Sequence, residues 1–315
     1  MTVIDAVVIG RNEGPRLIAC LASLTGSVRR VVYVDSGSTD GSATGAAALG
    51  AEVVALDMGQ PFTAARARNA GLDRLAADPP DLVQMVDGDC EVQPGWITTA
   101  RSFLADRPDL AVVCGRRRER RPGDSVYNRL CDAEWDTPVG AAAACGGDAL
   151  MRYAPLRDVG GYDPALIAGE EPDLCLRLRR AGWGIWRLEA EMTLHDAALL
   201  RFGQWWRRTR RAGHAFAEGD ARYGAGPERH WRRETRRALV WGAGVPLAAG
   251  LAAVLHPAGL LILLAWPLQA LRLLPRLGAE GAVFSVLGKI AEAQGAIGFY
   301  LGRLRGRRRG IIEYK

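Results

Sequence analysis

Short apolar and polar blocks alternate along the first hundred residues of the chain. Apolar runs rich in β-branched residues predict strands, whereas runs with helical spacing predict helices. The strands are predicted at 3–9, 31–34, 52–56 and 82–86, and the helices at 15–24, 43–49 and 64–77. Strand–helix alternation of this kind indicates βαβ units and an α/β fold with a mostly parallel sheet. Because such sheets bind ligands at the carboxyl ends of their strands, the polar residues after each apolar run are the candidates for chemistry.

A second pattern lies at 238–271, where no Lys, Arg, Asp or Glu occurs. As a single helix this stretch would be roughly 50 Å long, well beyond a hydrocarbon core of about 30 Å. His256-Pro257-Ala258-Gly259 interrupts it and predicts a helical hairpin, which either spans the membrane or dips into one leaflet. A buried helical pair in a soluble domain is the alternative, but the lack of charge over this length favours the membrane.

Charge divides the chain into four predicted segments: 1–200 with mixed charge, an Arg-rich helical segment at 201–237, the apolar hairpin at 238–274, and an amphipathic helix with a basic tail at 275–315. Basic clusters flank the hairpin on both sides. Under the positive-inside rule they place the protein on the cytoplasmic face of the inner (plasma) membrane. The amphipathic helix is either interfacial or packed on the main domain.

Composition and charge limit the kinds of molecule that the protein is expected to bind. The net charge of +6 and a pI of about 9.2 are compatible with nucleic acid, anionic lipid or phosphorylated substrates. No nucleic-acid recognition motif accompanies the basic clusters, so we expect no nucleic acid partner. Six scattered cysteines without a Cys-x-x-Cys pair indicate a reducing compartment. Residues 1–5 lack the features of a signal peptide, so membrane association is expected from later segments.

The most informative chemistry follows the strand at 82–86, where Asp87-Gly88-Asp89 sets two carboxylates one residue apart. Carboxylate oxygens are ligands for Mg²⁺ or Mn²⁺, which commonly bridge protein and substrate phosphates. Alone, the motif is equally compatible with a turn of solvated acids. Asp35 and Ser36 follow the strand at 31–34 and could hydrogen-bond a nucleotide, and Arg11 and Glu13 follow the first strand.

These three motifs, in this order, resemble glycosyltransferase family 2, whose members have the GT-A fold, a Rossmann-like α/β sheet flanked by helices. Further similarity to that family covers roughly 2–196. It is carried by Ala67-Arg68-Asn69-Ala70-Gly71, by Cys145-Gly146-Gly147-Asp148, by Gly160-Gly161-Tyr162-Asp163 and by Gly169-Glu170-Glu171-Pro172-Asp173. The resemblance, with the predicted hairpin, implies a membrane-associated bacterial enzyme of this family that is inverting and depends on a nucleotide sugar.

The resemblance implies a role for each matching residue. Asp35 would bind the donor's base, favouring a uridine nucleotide, with Ser36, Arg11 and Glu13 in the same pocket. Arg68 would lie near the diphosphate. Asp89, with Asp87 beside it, would hold Mn²⁺ or Mg²⁺, and His195 matches a histidine close to that metal; a plain capping histidine is the alternative.

Other residues match the family's acceptor side. The family's base is the Asp of a Glu-Asp pair, and Glu171 stands at that position here, so Glu171, Glu170 and Asp173 are all candidates. Gly147 and Asp148 match the family's acceptor loop. Gln204-Trp205-Trp206-Arg207-Arg208 resembles the Gln-x-x-Arg-Trp element of processive synthases, but Arg208 replaces its Trp. Trp205, Trp206 and Arg207 would contact an acceptor or anchor the chain at the membrane interface.

One hairpin cannot build a polysaccharide channel, so we expect transfer of a single sugar to a lipid-linked or envelope glycan acceptor in cell-envelope polysaccharide biosynthesis. A polyprenyl-phosphate glycosyltransferase is one alternative. A catalytically inactive glycan-binding or scaffold protein is another, although the intact acidic motifs argue against it. Homo-oligomer formation stays open.

Overall fold

A computed structural model describes residues 2–306 and divides them into two compact units. The first unit comprises residues up to 124 together with 131–166 and 170–198, and the second comprises 125–130, 167–169 and the residues from 199 onward. The end of the predicted basic tail, 307–315, lies outside the described residues.

The first unit is built on one sheet with helices between its strands. The strands are β1 Ile4–Gly10, β2 Val31–Asp35, β3 Glu52–Ala55, β4 Leu82–Asp87, β5 Cys90–Val92, β6 Leu110–Glu119, β7 Gly140–Ala141, β8 Ala149–Arg152 and β9 Gly184–His195. The helices are α1 Pro15–Leu24, α2 Ser42–Ala48, α3 Ala64–Leu75, α4 Trp96–Asp106, α5 Val126–Glu134, which continues from the second unit, α6 Tyr153–Asp158 and α7 Glu170–Arg180. The predicted early elements are confirmed to within a residue or two.

The strand order is β3-β2-β1-β4-β8-β6-β9-β5, with β7 beside β9. Strands β3, β2, β1 and β4 are parallel, whereas β8 runs antiparallel to both of its neighbours. The central strands read as almost continuous apolar runs because helices cover both faces, and β1 and β4 are buried along nearly their whole length. The predicted α/β fold is confirmed, and its sheet is mixed, because β5, β7 and β8 run against the direction of the other strands.

The second unit is helical. Its helices are α8 Phe202–Tyr223, α9 Arg232–Leu239, α10 Val245–Leu255 and α11 Ala265–Leu304; a π-helical segment, Val240–Gly244, joins α9 to α10, and a 3₁₀ segment, Pro257–Leu264, precedes α11. His256 adopts an extended conformation and ends α10, so the predicted break is present. Helix α11 continues across the predicted start of the amphipathic segment and is interrupted only at Gly278, whose φ is 67°.

Two stretches of this unit are long and apolar enough to cross a membrane, Arg232–Leu255 and Pro257–Leu304. Their most apolar windows are only 17% and 0% buried, respectively. Among the side chains left exposed, Val254 and Leu255 are 84% and 88% accessible. A buried helical pair of a soluble domain would hide these surfaces, and the exposure therefore favours the membrane alternative.

Candidate active site

Parallel pairing brings the predicted strand-end residues to one edge of the sheet. Gly10 pairs with Asp35, and Ile9 pairs with Asp87. Strands β1, β2 and β4 therefore end side by side, and the residues that follow them share that edge. Arg11 is exposed there, whereas the Glu13 carboxylate lies 2.7 Å from the Arg16 guanidinium.

Asp35 is buried, and both of its carboxylate oxygens accept hydrogen bonds from nearby groups. Oδ1 accepts from the Tyr33 hydroxyl at 2.9 Å, and Oδ2 accepts from the backbone N–H groups of Gly37 and Ser38. Ser36 is buried beside it, and its hydroxyl has no hydrogen-bond partner within the described residues. The carboxylate is thus held in a fixed orientation at the end of β2.

Arg68, on α3, is the hub of the site. Its Nη2 lies 2.8 Å from Asp87 Oδ1, and its Nη1 lies 2.9 Å from carboxylate oxygens of both Glu170 and Glu171. Burial disfavours a charged guanidinium, but the three carboxylates outweigh it and hold the pKa of Arg68 above its ordinary value. One cation therefore joins the strand-end acids to the acids of α7.

The three candidate bases differ in their surroundings. Asp173 is buried, and its Oδ2 accepts a 2.8 Å hydrogen bond from Arg177, which also donates to the carbonyls of Val159 and Gly161. Glu170 is nearly buried against Arg68, and the Glu171 side chain keeps 15% of its surface accessible. Burial and the neighbouring Glu170 carboxylate raise the pKa of Glu171 to about 7.

Two further residues, Asp148 and Arg117, contact Asp87. Asp148 is fully buried; it accepts a hydrogen bond from the Asp87 backbone N–H at 3.0 Å and another from the Thr193 hydroxyl at 2.7 Å. Arg117 lies 3.2 Å from Asp87 Oδ2 and 3.5 Å from Asp148 Oδ2, and its guanidinium stacks over the Trp135 ring. Asp148 therefore holds the backbone of Asp87 in place from a fully buried position.

Arg117 is a site residue that sequence reasoning missed. It belongs to the run Arg116-Arg117-Arg118-Glu119-Arg120-Arg121, which reads as a solvated basic stretch. In the sheet, Arg117 reaches Asp87, whereas Arg118 pairs with Glu191 at the surface. Arg116 is buried as well, and a shift in strand register separates it from Arg117, so regular alternation gives no sequence signal for Arg117.

Asp89 and His195 come together because β5 pairs with the end of β9, where Cys90 is opposite His195. His195 Nε2 lies 3.4 Å from Asp89 Oδ1, and its Nδ1 lies 3.7 Å from Glu119 Oε2. Ligand atoms of Asp89, Cys90 and His195 all lie within 4.8 Å of one another. A carboxylate and an imidazole suit Mn²⁺, and the carboxylate also suits Mg²⁺, so Asp89 and His195 fit the expected ion. Asp87 forms a separate cluster with Cys90 and Asp148 and is paired with Arg68 and Arg117.

Glu119 lies on the Nδ1 side of the His195 ring, where metal-binding histidines commonly have a carboxylate that orients them. Burial alone would raise the pKa of Glu119. The nearby His195 imidazole and hydrogen bonds from the backbone N–H groups of Arg121 and Ala197 outweigh burial and lower it. Glu119 is thereby kept ionised behind the imidazole.

Gly147 lies directly against the charged centre. A methyl group on Gly147 would be 2.6 Å from Arg68 Nη2 and 2.7 Å from Asp87 Oδ2. The neighbouring Gly146 has far more space, with Arg117 Nη1 nearest at 3.8 Å. The predicted acceptor loop thus reaches the site through Gly147.

The aromatic candidates belong to the second unit. Trp205 is buried in an aromatic cluster, stacked on Tyr127 and edge-on to Phe284. Trp206 donates from Nε1 to Gln294 Oε1 at 3.0 Å, and Arg207 is exposed. Packing inside the helical unit accounts for Trp205, and its predicted acceptor contact stays a prediction.

Residues 5–141 match the protein-family model described as Glycosyl transferase family 2. Among curated proteins, the Pre-mycofactocin glycosyltransferase of Mycobacterium tuberculosis is 28% identical over 211 residues, covering 61% of this chain and 42% of that protein. The Succinoglycan biosynthesis protein ExoA of Rhizobium meliloti is 30% identical over 190 residues, covering 56% and 57%, respectively. The chain thus spans about two fifths of the length of the first of these relatives.

Solved structures show the same fold at low sequence identity. The mannosyltransferase PcManGT from Pyrobaculum calidifontis, solved with GDP-Man and Mn²⁺, has a TM-score of 0.66 at 19% identity and covers 94% of this chain and 87% of its own. Glucosyl-3-phosphoglycerate synthase from Mycobacterium tuberculosis, solved with phosphoglyceric acid, has a TM-score of 0.51 at 18% identity, covering 69% and 78%. The expected GT-A fold is confirmed.

Proposed function

We propose that this protein is a glycosyltransferase of family 2, whose family model matches residues 5–141, and that it moves a single sugar from a nucleoside-diphosphate sugar to a lipid-linked or envelope glycan acceptor. The observation that carries the proposal is the bridge made by Arg68 between Asp87 and the Glu170–Glu171 pair. A transferase has to hold donor and acceptor with their reacting atoms about 3–3.5 Å apart, and this guanidinium brings the acids suited to each side to one place.

On the donor side, Asp35 and Ser36 bind the nucleoside, with Arg11 and Glu13 at the same edge. The unpartnered Ser36 hydroxyl beside the fixed Asp35 carboxylate supports this assignment. Arg68 and Arg117 face the diphosphate and stabilise the charge that develops on the leaving group. A UDP-sugar is the favoured donor, and a GDP-sugar is the second candidate because the archaeal mannosyltransferase of the same fold was solved with GDP-Man.

Asp89 and His195 would hold the divalent cation, with Glu119 fixing the imidazole. When bound, Mn²⁺ or Mg²⁺ supplies a Lewis acid beside the diphosphate. The Mn²⁺ in the archaeal mannosyltransferase structure supports the choice of ion.

On the acceptor side, Glu171 is the general base. The acceptor oxygen attacks the anomeric carbon while its proton passes to the Glu171 carboxylate, and the bond from that carbon to the diphosphate oxygen breaks. Direct attack inverts the anomeric centre and requires no covalent enzyme intermediate. The pKa of Glu171, raised to about 7, suits it to accept a proton near neutral pH. Its side chain is also more accessible to an acceptor than that of Asp173, 15% against 4%.

The second unit attaches the enzyme to the cytoplasmic face of the plasma membrane, where lipid-linked acceptors are available. The exposed apolar surface of the hairpin supports this assignment. Polyprenyl phosphate is the alternative acceptor; as an anion it would attack without needing Glu171.

The test is hydrolysis and binding of a panel of UDP- and GDP-sugars by the detergent-solubilised protein, with Mn²⁺, Mg²⁺ or EDTA. We expect metal-dependent release of one nucleoside diphosphate, lost in Asp89→Ala and retained in Asp109→Ala, which removes an exposed carboxylate paired with Arg107. Failure to bind any nucleotide sugar, with metal and membranes present, would overturn the proposal in favour of a glycan-binding scaffold.

A further inference from the structure

A cleft lies within the helical unit, and none of the acids described above lines it. Helix α9, the π-helical segment and the two halves of α11 line this open cleft, and its volume of about 270 Å³ includes the solvent at its mouth. Arg237, Lys289, Gln269 and Ser285 supply its polar lining, and Trp241 with two aliphatic side chains supplies its apolar wall.

Close backbone packing holds this cleft in shape. A methyl group on Gly242 would collide with the Lys289 carbonyl, so the π-helical segment lies directly on α11 at this point. Trp266 Nε1 donates to the Trp241 carbonyl at 3.0 Å, which fixes the start of α11 to the same segment. Single π-helical turns inside α-helices are frequent at functional sites.

The polar lining has unused hydrogen-bonding capacity. Within residues 2–306, the side chains of Arg237, Gln269 and Ser285 make no hydrogen bond or ion pair with the protein, although Gln269 and Ser285 are half-buried. Lys289 pairs with Glu292 at 2.6 Å. Two cations and one carboxylate therefore leave the cleft positive, with guanidinium, amide and hydroxyl donors directed at one small volume.

The cleft also lies at the boundary between charged and apolar sequence. Arg237 directly precedes the uncharged stretch 238–271, and Arg272 directly follows it. Lipid headgroups lie at this level of a membrane hairpin, and tryptophans such as Trp241 and Trp266 are enriched there. Basic pockets between helices at this depth are suited to phosphate headgroups.

We propose that this cleft binds the phosphate headgroup of a membrane lipid. Arg237, Gln269 and Ser285 donate to the phosphate oxygens, Lys289 adds positive charge, and Trp241 packs on the first carbons of the lipid. The inference rests on the membrane association in the proposed function, but it does not depend on sugar transfer.

The experiment is native mass spectrometry of the full chain in detergent, titrated with phosphatidylglycerol or with diacylglycerol of the same chains. We expect one retained phosphatidylglycerol and little diacylglycerol, with affinity reduced about tenfold or more in Arg237→Ala and Ser285→Ala. Arg236→Ala, one residue away and outside the cleft lining, should retain binding. Nucleotide-sugar binding in each variant checks that the protein is folded.

Each other outcome overturns the proposal for a stated reason. Equal losses in Arg236→Ala and Arg237→Ala would show attraction by net charge alone, and equal binding of diacylglycerol would show apolar association alone. Inorganic phosphate that displaces the lipid at equal concentration would show a site for free phosphate. Fractionation of the wild type without detergent separates the two proposals, because a protein absent from membranes would overturn the proposed membrane association itself.

Discussion

At the residue scale, Glu171 lies largely buried beside Arg68, which it shares with Glu170. Burial and the charge of Glu170 raise the pKa of Glu171 to about 7, and a base works only when deprotonated. We therefore expect kcat/KM to rise with pH through a midpoint near 7 and to level off above it. Glu171→Gln should lower transfer by roughly 10²–10⁴-fold while donor binding persists. Steady-state rates between pH 5 and 9 measure both effects.

Glu170→Gln is the matched control for that assignment. Removing the neighbouring negative charge lowers the pKa of Glu171, so the midpoint of the profile should move to lower pH while activity survives. If Glu170→Gln abolishes transfer and Glu171→Gln does not, Glu170 is the base. A profile unaffected by either substitution would favour a polyprenyl-phosphate acceptor, which needs no base.

Gly147 gives a steric prediction at the same scale. Its Cα faces the Arg68–Asp87 pair so closely that an added methyl group must displace one of the two side chains. Because misplacement of a reacting group by about 1 Å can cost about 10²-fold, Gly147→Ala should lower kcat/KM by ten- to a hundredfold. Gly146→Ala, with its nearest neighbour at 3.8 Å, should stay within about twofold. Similar losses in both variants would show that the loop, not the ion pair, is the sensitive part.

At the element scale, α8 and α11 approach each other through glycine. A methyl group on Gly213 would overlap the backbone of Glu292, and backbone atoms, unlike a side chain, cannot rotate out of the way. Overpacking of this kind typically costs about 1–3 kcal/mol, so Gly213→Ala should lower the unfolding temperature of the detergent-solubilised protein. Gly250→Ala, where space is open, should be neutral or stabilising because alanine is the better helix former. An unchanged unfolding temperature in Gly213→Ala would mean that the two helices separate easily.

The elements also show how far the sequence could predict the site. Asp87, Asp89 and Asp35 were predicted because they follow apolar runs, and parallel strands bring such positions to one edge without further information. Arg117, Glu119 and Thr193 could not be predicted in this way, because β6 and β9 meet across about seventy residues of chain. Asp148 was predicted as an acceptor contact. The structure shows that it is fully buried and that it hydrogen-bonds the Asp87 backbone, which the sequence pattern does not indicate.

At the scale of the whole molecule, composition predicts the apolar hairpin, and the exposure of its side chains favours one of its two interpretations, the membrane hairpin. A soluble helical pair and a membrane hairpin share the same uncharged sequence, and only the coordinates distinguish a covered surface from an open one. Exposed apolar surface of this kind marks an interaction site, and we expect lipid to cover the exposed apolar side chains at 254–271.

Leu255, 88% exposed beside the break in the hairpin, tests whether lipid covers this surface. A charged side chain near the centre of a bilayer costs about 2.5–3.5 kcal/mol, so Leu255→Glu should reduce partitioning onto liposomes by tenfold or more in a flotation assay. Leu49→Glu, at an exposed leucine of the first unit, makes the same chemical change and should leave flotation unchanged. Equal flotation of the two variants would mean that the tip of the hairpin stays in water and that attachment depends on the basic residues around it.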